Sequence, residues 1–233
     1  MAELRGLDIP RVTRWLAEHV PGADRPLSFS LVAAGGSNLT YVVEREDGVR
    51  WALRRPPERA RIATAHEMSR EWRIISALHA YPERGVPVPP AVAYCEDPEI
   101  TGAEFYVMGF AEGRILRGPE DASGMDEAAC LRASESLIDV QIAMHTLDVD
   151  AVGLGDLGRK EAYVERQLAR WLRQFEASKG RELPAVYALH DRLAASVPAQ
   201  QATGLVHGDY RFDNTVLGGD DRIVAVLDWE LCT

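Results

Sequence analysis

The stretch that most constrains this chain lies near its end. His207-Gly208-Asp209-Tyr210-Arg211-Phe212-Asp213-Asn214 is followed by Val226-Leu227-Asp228-Trp229-Glu230. Between them, residues 215–217 and 223–227 are short apolar runs around Gly218-Gly219-Asp220-Asp221, the pattern of a hairpin. A loop carrying a carboxylate and an amide, then a hairpin ending on a second carboxylate, puts three oxygen-bearing side chains on two stiff supports. Taken singly, Asp209 and Asp213 read as turn residues and Asp228 as the end of a strand. As a set, they read as chemistry.

The rest of the chain sets bounds on that chemistry. The formal net charge is -10 over 233 residues, which disfavours general nucleic-acid binding because phosphate repels it. Cys95, Cys130 and Cys232 are far apart and form no CxxC pair, so neither a disulfide framework nor a zinc site is indicated. The N-terminus is charged throughout, and no stretch approaches the ~18 apolar residues of a membrane span. These features lead to the expectation of a cytoplasmic protein with no membrane partner.

Read in order, Asp8 and Pro10 open a helix through His19. Strand-like runs follow at 27–33, 39–45 and 49–54, then a helix at 65–79 with Met68, Trp72, Ile75 and Leu78 at helical spacing. Thr64 and Glu67 fit a capping box at its start. Residues 91–95 and 105–110 read as two more strands. Beyond Ala111-Glu112-Gly113 lie helical segments at 126–147, 160–178 and 182–196, the first with Leu131, Ile138, Ile142 and His145 on one stripe. Leu205-Val206 reads as a short strand. Trp15, Trp72 and Trp171 read as packing residues. The expected class is α+β in two lobes: residues 1–108 with a sheet and one helix, a connector at 109–113, and a mainly helical lobe at 114–233.

Phosphoryl transfer asks little covalent work of a protein. It needs a carboxylate to accept or orient the attacking hydroxyl's proton, and oxygen ligands for Mg²⁺ to offset charge on nucleotide phosphates. Asp209, Asn214 and Asp228 match that need in kind, order and spacing. HGDYRFDN with LDWE resembles the motif of the aminoglycoside phosphotransferase and choline kinase superfamily, distant relatives of protein kinases. Upstream, GGSNLTYVV, WALRRPP, HEMSREWRIISAL, VPVPPAVAYCED and FYVMGFAEGR occur in the same order. Together they are most similar to bacterial phosphotransferases related to the kinase-like domain of some acyl-CoA dehydrogenases, over about residues 27–230.

The resemblance implies a two-lobed kinase-like fold, ATP and Mg²⁺ as cofactors, Asp209 as catalytic base, and Asn214 and Asp228 as metal ligands. Glu230 is either a further site residue or a surface acid. His207 is expected behind the loop in a structural role. Arg211 either reaches a phosphate or pairs with Asp213 or another acid, the second being favoured. Gly35, Gly36, Ser37 and Asn38 could fold over phosphates with their backbone N–H groups, or form a plain hairpin loop. Arg54 stands where kinases carry lysine, with a longer planar fork. Its expected partner is Glu71, because capping already accounts for Glu67. Residues 108–113 are the expected hinge, whose backbone carbonyl and amide groups bind the adenine edge with Val107 or Met108 beside the ring; Met108 and Phe110 are counted among the nucleotide-binding residues.

The acceptor is expected to be a hydroxyl on a small molecule, aminoglycoside-like or hydroxyacyl-type. A nucleotide-binding pseudokinase or interaction module is the alternative. Relatives carry helices beyond the DWE motif, so the hairpin before Asp228 is expected to lack cover, and the C-terminal region is expected to self-associate.

Overall fold

The computed structural model describes residues 4–34, 38–57 and 65–233, with the side chains of residues 33, 34 and 65–67 left aside. The Thr64–Glu67 capping box and Gly35, Gly36 and Ser37 therefore lie outside the described residues. The first half is a five-stranded antiparallel sheet in the order β1-β2-β3-β5-β4. Its strands are β1 (Leu27–Ala34), β2 (Leu39–Arg45), β3 (Arg50–Arg55), β4 (Ala91–Cys95) and β5 (Phe105–Gly109). The second half carries three longer helices and a two-stranded hairpin, so the class is α+β.

Alternation along the strands explains the two cores. Leu39, Tyr41 and Val43 of β2, Leu53 of β3, and Phe105 and Val107 of β5 point to one face. There they bury α1 (Ile9–His19), which is capped by Asp8 and brings in Val12, Trp15 and Leu16. The intervening residues Ala52, Tyr106 and Met108 point the other way, toward Met68, Ile75 and Leu78 of α2 (Ala65–Ala80) and the second half. Arg54 belongs to this inner face, directly opposite Tyr106 in the β3–β5 register. The period of two thus sends a buried guanidinium toward the cleft rather than toward α1.

The second half contains α4 (Glu127–His145), α5 (Tyr163–Ser178), α6 (Pro184–Ala194), and the hairpin of β6 (Thr215–Leu217) with β7 (Ile223–Val226). The short helix α3 (Pro98–Thr101) lies between β4 and β5. Three expectations need correction here. The buried stripe of α4 is Ala129, Ala133, Ser136, Val140 and Met144, while Leu131, Ile138 and Ile142 face outward. Small residues let α4 lie close on the hairpin, where Ser136 Oγ accepts the Ile223 amide at 2.9 Å. Trp171 on α5 is exposed, not packed. Leu205-Val206 forms no strand; Val206 instead exchanges two backbone hydrogen bonds with Thr233, each 2.8 Å.

The hairpin is also covered, against expectation. Val216, Leu217, Ala225 and Val226 are buried, and the Val226 amide is held by the Pro87 carbonyl at 2.9 Å. Exposed apolar side chains lie instead on α4 and on α6, where Leu189 and Leu193 face solvent. Among the described residues, no helix is long and apolar enough to cross a membrane.

Candidate active site

The loop 207–214 is fixed from behind by two buried rings. His207 Nε2 donates to the Leu227 carbonyl at 2.9 Å, and its Nδ1 accepts the Asp209 amide at 3.3 Å. That pairing requires the neutral Nε2–H tautomer. Burial pushes the His207 imidazole below its ordinary value, in keeping with this. Trp229 packs against it, ring centroids 4.7 Å apart, and donates its indole N–H to Val226 O at 3.1 Å. Tyr210 anchors the loop to α4 through Leu137 O at 2.9 Å.

A depressed histidine pKa adds stability above the unfolded value near 6.5 and loses it as pH falls. Buried Glu71, described below, has the opposite slope, so the effect is best isolated by comparison. The stability difference between wild type and His207→Gln is expected to shrink from about pH 7 to about pH 5. Thermal unfolding of both proteins across that range checks it; a constant difference would contradict it.

Gly208 has a structural reason to be glycine. Its φ is +89°, and a Cβ there would meet the Leu231 carbonyl oxygen at 2.6 Å. Gly208→Ala is expected to cost about 2 kcal/mol in urea unfolding, from left-handed strain and the contact together. A loss within error of zero would show that the loop relaxes freely.

The loop brings two expected site residues together. Asn214 Nδ2 donates to the Asp209 carbonyl at 2.8 Å and to Asp209 Oδ2 at 3.0 Å. The amide therefore orients the carboxylate and leaves its own Oδ1 for another partner. Leu227 N donates to the Asn214 carbonyl at 2.9 Å, which sets Asp228 beside this loop. Asp228 is a non-glycine residue at φ 64°, a strained conformation of the kind retained where a side chain must be aimed. Arg211 Nε pairs with Asp213 at 2.8 Å and approaches Asp209 at 3.4 Å, so it takes the acid-paired alternative.

Across the cleft, Arg54 organises the acids. Its Nε lies 3.2 Å from Glu71 Oε2, and its guanidinium donates to Asp228 Oδ1 at 2.5 Å; Glu230 is 4.0 Å away. Glu71 is fully buried and also accepts the Tyr106 hydroxyl at 3.2 Å. Burial pushes Glu71 up to about 7, against the pull of Arg54. Burial also works against the Arg54 charge, but Tyr106, Glu71 and Asp228 outweigh it and hold its pKa above normal. Asn38, at the end of the glycine-rich stretch, donates to Glu230 Oε2 at 3.1 Å. One acid-rich cluster thus joins both halves of the chain.

Sequence reasoning did not single out Tyr106, although its place opposite Arg54 follows from strand alternation. It also assigned Arg54 to Glu71 alone and missed its reach to Asp228. At the expected hinge, Met108 lies within β5, while the Phe110 amide is taken up by Arg50 O at 3.2 Å and its ring is covered by the Arg50 guanidinium at 4.2 Å. Phe110 therefore has no free amide for a nucleotide. Gly113 runs tight against β6: a Cβ there would meet Leu217 O at 2.2 Å.

For magnesium, the Asp228 carboxylate and Asn214 Oδ1 are an all-oxygen donor set. Mg²⁺ typically takes one or two protein ligands and completes its shell with water and substrate phosphates. The donor set fits that ion. No group of three histidine, cysteine or acidic side chains suited to a metal occurs among the described residues.

This fold and this loop-and-hairpin cluster define a kinase-like phosphotransferase class. The chain belongs to the phosphotransferase enzyme family, whose sequence profile matches residues 28–233. It is 36% identical over 237 residues to IBR3 of Arabidopsis thaliana, provisionally named an acyl-CoA dehydrogenase, covering 94% of this chain and 28% of the relative. A solved structure from Ralstonia eutropha, provisionally assigned as an aminoglycoside phosphotransferase, superposes with a TM-score of 0.83 at 35% identity, covering 97% of this chain and 65% of that one. The ternary complex of APH(2")-IIa with streptomycin and ATP matches in fold, with a TM-score of 0.66 at 15% identity over 100% of this chain and 74% of that one. The chain thus spans less than two thirds of the length of the first two.

Proposed function

We propose that the chain transfers the γ-phosphoryl group of ATP to a hydroxyl on a small molecule, with Mg²⁺. The carrying observation is the Asp209–Asn214 pair set beside Asp228, with Arg54 bridging Asp228 to Glu71. In this reading Asp209 takes the acceptor's hydroxyl proton. The acceptor oxygen bonds to the γ-phosphorus as the bond to the β–γ bridging oxygen breaks, and ADP leaves. Asn214 keeps the Asp209 carboxylate aimed, and with Asp228 would hold the metal. Magnesium, when bound, offsets the negative charge of the phosphates. Arg54 grips phosphate, with Glu71 and Tyr106 fixing the direction of its fork. Asn38 joins the same cluster through its hydrogen bond to Glu230.

The acceptor class is either aminoglycoside-like or hydroxyacyl-type; the family membership and the kinship with acyl-CoA dehydrogenase family proteins support these two. One observation favours a slower or non-catalytic variant: Arg54 ties up Asp228 Oδ1, which a metal would need. Incubation with γ-labelled ATP, Mg²⁺ and a panel of hydroxylated acceptors tests the reading. Label on an acceptor hydroxyl, absent without Mg²⁺, is the expected result. Nucleotide binding with no transfer to any acceptor and no ATP consumption would favour the pseudokinase alternative.

A further inference from the structure

A pocket of about 380 Å³ opens beside the catalytic loop, between the segment following the hinge and the first turns of α4. Leu116, Met125, Ala133 and Phe212 give it apolar walls, and Arg117, Arg211 and Asp213 supply its charged groups. Arg211 both lines this pocket and approaches Asp209 at 3.4 Å, so the pocket adjoins the proposed base. Asp209 itself does not line the pocket, so an acceptor seated there reaches the proposed base past Arg211.

The charges in this pocket run against those of the chain as a whole. Asp213 is already engaged by Arg211 at 2.8 Å. The Arg117 guanidinium has no ion-pair partner among the described residues, although its backbone amide is fixed by Asp121 at 2.7 Å. That same Asp121 oxygen also accepts the Gly118 amide at 3.1 Å, and neither Asp121 nor Glu120 lines the pocket. A polyamine entering here would meet two guanidinium groups and one carboxylate that is already paired. A carboxylate or phosphate at the end of a short apolar arm would meet an unpaired arginine across a wall of Leu, Met and Phe.

We infer that this pocket anchors the acceptor and selects one whose apolar arm ends in an anionic group, with Arg117 as the specificity-determining residue. The inference rests on the reading of Asp209 as the base, and it narrows the acceptor to the anionic class over the polyamine class. Arg117 is exposed, so its replacement leaves the core intact.

Cys130 gives a test that needs no turnover. It lines the pocket and is exposed, whereas Cys95 and Cys232 are buried. Alkylation of Cys130 by iodoacetamide is followed by mass spectrometry in protein holding Mg²⁺ and a non-hydrolysable ATP analogue. The probes are ε-hydroxycaproate, its primary amide, and the amino alcohol of the same length. Hydroxycaproate is expected to protect Cys130 at about tenfold lower concentration than the amide or the amino alcohol. Arg117→Ala should erase that preference, and Arg117→Lys should keep part of it, with affinity for the ATP analogue unchanged in both. Equal protection by all three probes, or a preference that survives Arg117→Ala, would overturn the inference. So would weaker analogue binding in Arg117→Ala, because the pocket would then belong to the nucleotide. Protection of the expected kind without phosphoryl transfer would sustain the anionic pocket while removing the catalytic reading.

Discussion

Asp209→Ala is expected to lower turnover by about a thousandfold or more while ATP affinity in Mg²⁺ stays within about twofold, the range for loss of a positioned general base. The reason is local. The Asp209 carboxylate accepts from Asn214 and approaches Arg211, and among the described residues it has no hydrogen bond or ion pair with Arg54, the group proposed to grip phosphate. Its side chain is partly exposed, so truncation leaves no orphaned buried charge. Initial-rate kinetics beside isothermal titration calorimetry separate the two effects. A comparable loss of ATP binding would mean that Asp209 holds nucleotide or metal, and the assignment of base would fail.

Arg54→Met is expected to be the most damaging change at the nucleotide end. It leaves Glu71 buried and Asp228 without the cation that pairs with it. Breaking a buried pair from one side costs about 3 kcal/mol or more. Because burial already pushes Glu71 up to about 7, the orphaned carboxyl can take up a proton and soften the loss at low pH. A carboxyl whose folded pKa is raised loses stability as pH rises through that value. The deficit of Arg54→Met against wild type should therefore be larger at pH 8 than at pH 6. Adding Glu71→Leu should recover part of it, since the double variant no longer buries an unpaired acid. Urea unfolding of the four proteins at both pH values checks this; a deficit that ignores pH and is not recovered by Glu71→Leu would contradict it. ATP affinity should fall in both Arg54 variants, because the proposed phosphate grip is gone.

Much of this site was legible because it is local. The spacing of Asp209, Asn214 and Asp228 lies within one loop and one hairpin, where chain geometry leaves little freedom. The Arg54–Glu71 partnership followed from a strand-then-helix order and from the offset of Glu67 to Thr64. Contacts between distant parts of the chain were not legible: Arg54 to Asp228 spans 174 positions, and Asn38 to Glu230 spans 192. Nothing local announces that an arginine in place of lysine will reach past its helix partner to a second acid.

In α4 the failure has a different cause. The large residues Leu131, Ile138 and Ile142 dominate the helical periodicity, yet packing chose the stripe of Ala129, Ala133 and Ser136, whose small side chains allow close approach to the hairpin. Hydrophobicity measures what could be buried, and shape decided which face was. The same outcome left apolar side chains outward on α4. Self-association through that face is a proposal that sedimentation of the purified chain can decide.

The most direct measurement is a crystal structure of the chain with Mg²⁺ and a non-hydrolysable ATP analogue. The metal is expected within bonding distance of Asp228 and Asn214 Oδ1, the Arg54 guanidinium turned from Asp228 toward phosphate, and the Asp209 carboxylate facing the γ-phosphoryl group. A nucleotide bound elsewhere, or bound in the cleft with Asp228 still tied to Arg54 and no metal beside it, would contradict it.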